Sequence, residues 1–217
     1  MLKIENFEVY GIPRSVYSAR NAFNSWNKSD SDLSTDSLGK ADLDLAIRLR
    51  NAGTDHRKFM RMITVYVDIT APLYWWKGFD TYKVGTVANS CSTMHKIAEK
   101  EFTMEDFSCE HLDRFVEDTG GDMAPVWDFK KPMEYTIEML NKGRTKFLET
   151  KDKKYWWQMI QLLPSSYNQK RTVMLNYEVL ANIYKSRKSH KLDEWLEFCK
   201  WIETLPYSEI ITGEKEN

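Results

Sequence analysis

Cysteine is scarce in this chain. The three present, Cys91, Cys109 and Cys199, are odd in number and widely spaced. That excludes a disulfide framework and a paired-cysteine metal site, and it predicts reduced thiols. An excess of charge of one sign is missing too: 31 Lys and Arg stand against 32 Asp and Glu, with both signs interspersed. Without a concentrated basic field, neither nucleic acid nor an acidic membrane surface is an expected partner. No run approaches the roughly 18 apolar residues of a membrane span. Met1-Leu2-Lys3-Ile4-Glu5 brings an acid at once, so no signal peptide is expected. A soluble, cytoplasmic protein follows. There is no P-loop, no Gly-x-Gly-x-x-Gly, no Cys-x-x-Cys and no His-Glu-x-x-His. His56, His95, His111 and His190 are not at metal-ligand spacing, so no metal is expected.

What is present fits one α+β domain over 1–217, with no repeat and no dividing linker. Aromatic residues make up 13% of the chain, enough to predict large buried surfaces or an oligomer interface. Residues 4–11 alternate as a strand and stop at Gly11-Ile12-Pro13. Residues 15–23 predict a short helix with Ser15 as its N-cap. The Ser/Asp/Asn-rich stretch 24–39 predicts a mobile loop. A helix is expected over 41–51, closed by Gly53. A long strand is expected over 59–69, ended by Pro72. Residues 94–100 read as helical, and 103–126, with Gly120-Gly121, as an acidic surface excursion. Further helices are expected over 132–148 and 192–205, the former with Pro132 in its first turn.

The most informative stretch runs from Leu163-Pro164 to Ser189-His190-Lys191. It reads as one amphipathic helix ending in a cationic turn. Asn176 and Arg187, eleven residues apart, fall nearly in line at about 3.6 residues per turn, with Leu180 and Ile183 between them. An amide and a guanidinium set into an apolar stripe suit a planar anionic or imide-like ligand. The cations of 185–191 can grip an anion, or simply complement a helix C-terminus. Asn89-Ser90-Cys91-Ser92 can offer N–H and hydroxyl groups to a phosphate, or be a plain N-cap. Trp75-Trp76 can stack on a ring or form a core cluster.

In order along nearly its whole length, the chain resembles the flavin-dependent thymidylate synthases. Ser18-Ala19-Arg20-Asn21-Ala22-Phe23 is similar to the family's early Ala-Ala-Arg-x-Ser-Phe helix. His56 stands before Ala71-Pro72-Leu73 as a flavin-contacting His does there. From Pro164 to Arg187 the spacing fits without a gap. The resemblance implies flavin contacts at His56, Lys83, Asn176 and Asn182, and a catalytic, uracil-binding role for Arg187, whose fixed cation favours ionisation of the ring imide. It implies a fold with a central antiparallel-rich sheet flanked by helices, with long C-terminal helices. It further implies FAD as cofactor, NADPH and methylenetetrahydrofolate as co-substrates, dUMP or a related pyrimidine deoxynucleotide as substrate, and a homotetramer with shared sites.

The departures concern the phosphate. Where the family has Arg-His-Arg, seven residues and Ser, this chain has 81–92, with only Lys83 cationic in the triplet. Asn89, Ser90 and Ser92 remain as candidate substrate contacts. The arginines the resemblance expects at two further positions are Ile160 and Glu178. Each lost charge-assisted bond is worth roughly 1.5–3 kcal/mol. Lys58, Lys77, Lys83 and His95 are the candidates to compensate. A non-catalytic flavin- or nucleotide-binding homologue, or a structural one, is therefore the alternative.

Overall fold

Strict alternation builds the sheet. In the computed structural model, which describes residues 1–116 and 126–213, the second strand, β2 (Thr64–Pro72), turns Val65, Val67 and Ile69 fully inward. Thr64, Tyr66 and Asp68 point the other way. β6 (Asn168–Asn176) does the same with Val173 and Leu175. With β1 (Lys3–Tyr10) and β3 (Val87–Ser90) they form a four-stranded antiparallel sheet in the order β1-β2-β6-β3. On its outer face Asp68 accepts hydrogen bonds from Asn6 Nδ2 at 3.1 Å and Thr172 Oγ1 at 2.6 Å, which ties three strands through one carboxylate.

The chain divides into two compact units. The larger comprises Leu2–Ile69, Gly78–Asn89 and Arg171–Asn217. Its helices are α1 (Ile12–Ala19), α2 (Lys40–Asn51), α7 (Tyr177–Arg187), α8 (Asp193–Glu203) and α9 (Glu209–Thr212). α7 is the central one: Leu180 and Ile183 are fully buried, as is Tyr177, whose hydroxyl donates to Pro206 O at 2.6 Å. Asn182, Lys185 and Ser186 are its exposed positions. Arg20 and Asp42 form a buried ion pair here, the carboxylate 0% exposed. Asp42 also accepts from Ser29 Oγ at 2.5 Å and Ser31 Oγ at 2.6 Å. Asp30 accepts from the N–H groups of Ala41 and Asp42 at the start of α2. The polar stretch 24–39, expected to be mobile, is thus fastened to α2 by its own Ser and Asp side chains.

The smaller unit comprises Met1, Thr70–Lys77 and Ser90–Lys170. α5 (Lys130–Thr150) and α6 (Lys153–Leu162) make a helical hairpin, turned by Lys151 at φ 58° and restarted by Asp152, which accepts from Lys154 N. Ile97, Phe102, Phe107, Leu140 and Met159 form its core. Trp75 and Trp76, on α3 (Leu73–Phe79), are buried and meet edge to face at 4.9 Å. They are core residues. A short helix α4 (Thr93–Lys96) and a ribbon of β4 (Arg114–Val116) with β5 (Val126–Asp128) complete it. Gly120-Gly121, expected in a surface excursion, lies outside the described residues. Among the described residues no helix is long and apolar enough to cross a membrane.

Several expected boundaries move. The single helix expected through Asn176 is a strand followed by a helix. Asn176 is extended, at φ −131° and ψ 168°, and its Oδ1 accepts from Val179 N at 3.0 Å as the N-cap of α7. Its helical phase with Arg187 arises because a cap immediately precedes the first turn; upstream, Thr172 and Val173 favour the pleat. Ser15 is not the cap of α1: Gly11, at φ 81°, opens that helix and Pro13 occupies its first turn. The strand expected from Phe59 starts at Thr64, because Phe59 and Met60 are buried side by side in a 3₁₀ turn (Lys58–Met62) and break the alternation. The helix expected over 94–100 keeps α-geometry only over Thr93–Lys96. Asn176→Ala is expected to cost about 1 kcal/mol, measured by urea unfolding. A change within error would show that the cap contributes nothing.

Candidate functional site

α7 carries two of the expected contacts and Asn176 caps it, so the strand-to-helix junction positions all three. Asn176 spends Oδ1 on the cap, and its Nδ2 faces the turn at Gly85. A Cβ at Gly85 would lie 2.6 Å from that nitrogen, and the backbone there sits at φ 79°. Only glycine lets the 83–86 turn pass over the amide.

Arg187, half-buried at the end of α7, donates from Nε to Tyr82 Oη at 3.1 Å. Its Cζ lies 4.7 Å from the centroid of the Trp195 ring and 5.8 Å from that of Tyr82. His190 meets Trp195 edge-on at 6.2 Å. Among the described residues Arg187 has no carboxylate partner. The guanidinium is held by one edge and one face, leaving its terminal nitrogens for a ligand. Tyr82 connects it to Lys83, with which it lines a hollow of about 340 Å³ together with Phe79, Asp80, Thr86 and Ala88. Arg171 pairs with Asp80 at 2.7 Å beside it. Cys199 is not a nucleophile here: burial pushes its thiol up to about 11.

Asn182 lies about 1.4 turns before Arg187, about 7.5 Å along the axis. Its Oδ1 accepts from Arg57 Nη2 at 2.9 Å, so its amide has donors left to offer. It lines a hollow of about 410 Å³ whose walls include Arg50, Arg57, Lys185 and Lys188. His56 lies instead in a cleft of about 760 Å³ with Phe23, Lys28, Arg48 and Lys58. Lys28 and Lys58 have no ion-pair partner among the described residues.

The remaining candidates are spread out. Asn89 and Ser90 are exposed on β3. Ser92 accepts from His95 N at 3.3 Å as the cap of α4, which is the plainer of its two readings. Lys77 and His95 are exposed. Among the described residues no group of three metal-ligating side chains occurs. Tyr82, Trp195, Arg57 and the role of Glu178 escaped sequence reasoning. Tyr82, Arg57 and Glu178 act across long sequence separations; Trp195 is near Arg187 in sequence, but on the next helix, and which of its faces meets the guanidinium is set only by packing.

An α+β chain with this sheet order, and a strand running directly into a buried helix that ends in a ring-packed arginine, has the fold of the flavin-dependent thymidylate synthases. It is similar to Thymidylate Synthase X (ThyX) from Helicobacter pylori with FAD and dUMP: TM-score 0.69, 15% identity, 99% of this chain and 98% of that one. It is also similar to the UMP/dUMP methylase PolB from Streptomyces cacaoi bound with 5-Br dUMP: TM-score 0.62, 13% identity, 97% of this chain and 94% of that one. No family profile matches the sequence, and no curated protein matches it.

Proposed function

We propose that this protein binds a pyrimidine deoxynucleotide through Arg187 and FAD through Asn182, and transfers a folate-derived one-carbon unit to the pyrimidine. The observation that carries the reading is the Arg187 guanidinium: positively charged, packed on Trp195, tethered by Tyr82 and unpaired with any described carboxylate. A cation so fixed stabilises the anion that a uracil ring forms at its imide, at no reorganisation cost. Both relatives above are described with dUMP or its bromo analogue, which supports a pyrimidine ligand.

The residues present fit FAD. Arg50, Arg57, Lys185 and Lys188 line the hollow at Asn182, a cationic wall that suits the cofactor's phosphates, and the Asn182 amide retains donors for its acceptor atoms. When bound, the flavin supplies hydride. In this reading Asn176, His56 and Lys83 add flavin contacts, NADPH and methylenetetrahydrofolate are co-substrates, and Asn89, Ser90 and Ser92 approach the nucleotide. The dispersal of His56 and Asn182 between two clefts supports a site completed by other subunits of a homotetramer.

A second reading, a non-catalytic nucleotide- or flavin-binding homologue, is favoured by the exposed, cation-poor segment 84–92. Absorbance separates the readings cheaply. The purified protein is expected to show flavin bands, or to acquire them with added FAD, and a colourless protein that takes up none sinks the proposal. If flavin binds, product formation from dUMP, methylenetetrahydrofolate and NADPH decides between catalysis and its loss.

A further inference from the structure

A hydroxyl that accepts one hydrogen bond still has a proton to give. Tyr82 is in that position. It stands in the middle of the triplet 81–83, which is Arg-His-Arg in the family this chain resembles. A cation at 82 would oppose the Arg187 guanidinium, whereas a phenol accepts from it, and Tyr82 Oη does so from Nε at 3.1 Å.

The phenol is held from three directions. Its backbone N–H donates to Phe79 O at 3.0 Å, and Thr81 Oγ1 donates to Gly78 O at 2.7 Å, which closes the turn that carries it. Its ring meets the buried Trp195 ring edge to face at 6.2 Å. The same Trp195 ring lies 4.7 Å from Arg187 Cζ, so one indole sets both donors. Among the described residues, neither the Tyr82 hydroxyl proton nor the terminal nitrogens of Arg187 have a hydrogen-bond partner. Beside them Tyr82 walls the hollow of about 340 Å³, room enough for a pyrimidine ring. Accepting from a cation polarises a phenol and makes it the stronger donor. Phenol and guanidinium together thus present donors alone, and an edge made of acceptors alone answers them. The oxygen–nitrogen–oxygen edge of an ionised imide is such an edge.

We propose that Tyr82 is a second substrate contact, its O–H donating to one of the two carbonyl oxygens that flank the imide nitrogen. The Arg187 N–H groups take the nitrogen and the other oxygen. This rests on the pyrimidine reading above, and adds a neutral donor at a position where the resemblance implies a basic residue.

The test is equilibrium binding of dUMP, 2-thio-dUMP and 4-thio-dUMP to wild type and Tyr82→Phe, with thermal unfolding recorded on both. Phenylalanine keeps the ring on Trp195, so the fold is retained. Loss of the hydroxyl weakens dUMP binding about five- to ten-fold. Sulfur is a poor acceptor, so for one of the two analogues the preference for oxygen over sulfur falls about five-fold in Tyr82→Phe. For the other it is unchanged. Differences in ring acidity between the analogues are common to both proteins and cancel in this comparison. A hydroxyl that only steadied Arg187 would weaken all three ligands by one factor, and that result overturns the proposal. So does dUMP affinity that Tyr82→Phe leaves unchanged; if Arg187→Ala then still loses binding, the pyrimidine reading stands without this contact. A wild type that binds none of the three sinks both.

Discussion

Arg187→Ala is expected to weaken pyrimidine-nucleotide binding about 100-fold, roughly 2.7 kcal/mol, while the chain stays folded. The guanidinium loses two internal contacts in the change, the Tyr82 hydrogen bond and the Trp195 face. Together these account for about 1–2 kcal/mol of stability, less than the reserve of an ordinary domain. Arg187→Lys separates charge from geometry. An ammonium keeps the cation but cannot present a planar fork, so it restores a small part of the affinity. Equilibrium binding of dUMP to the three proteins, with thermal unfolding recorded on each, is the measurement. Equal affinity in wild type and Arg187→Ala would remove the ring contact from Arg187.

Asp42→Ala carries the largest expected effect on stability, a loss of roughly 3–5 kcal/mol. The cause is the group left behind: Arg20 is 6% exposed and its partner is fully buried, so the truncation strands a desolvated guanidinium. Ser29 and Ser31 lose their acceptor at the same time. Replacing both ions, as Arg20→Met with Asp42→Leu, is expected to recover most of the loss, because no unpaired charge then remains. Urea unfolding of the single and double variants measures this. A single variant less than about 1 kcal/mol below wild type would mean that the pair is solvated in solution.

The parts of the fold legible in sequence were those where one period runs uninterrupted. α2, α5 and α8 were readable from apolar spacing, and β1 from alternation up to Gly11. The junction at Asn176 was not, because this residue satisfies the helical phase of Leu180 and Ile183 while ending a strand. Lys58–Met62 misled for a related reason: Phe59, Met60 and Met62 look like pleat until packing buries the two adjacent ones. At the candidate site, helical phase pointed to Arg187, while its pyrimidine role and the parts of Asn182 and His56 came from resemblance. What surrounds them did not come from either. Tyr82 beneath Arg187 and the Arg57–Glu178 grip are contacts between distant parts of the chain, and no local pattern encodes them. The inverted charge at Glu178 was visible as a departure, but its compensation needed the third dimension.

The direct passage of β6 into α7 makes this region intolerant of changes in length. One residue inserted before Asn176 would turn Val173 and Leu175 from the core to the outer face. One inserted after it would swing Arg187 about 100° around the helix and 1.5 Å along it. A loop would absorb either, but here there is none. Insertions and deletions in distant relatives are therefore expected to fall outside 168–187. A shared, uninterrupted count from the strand to the arginine will identify kinship after the residues themselves have diverged.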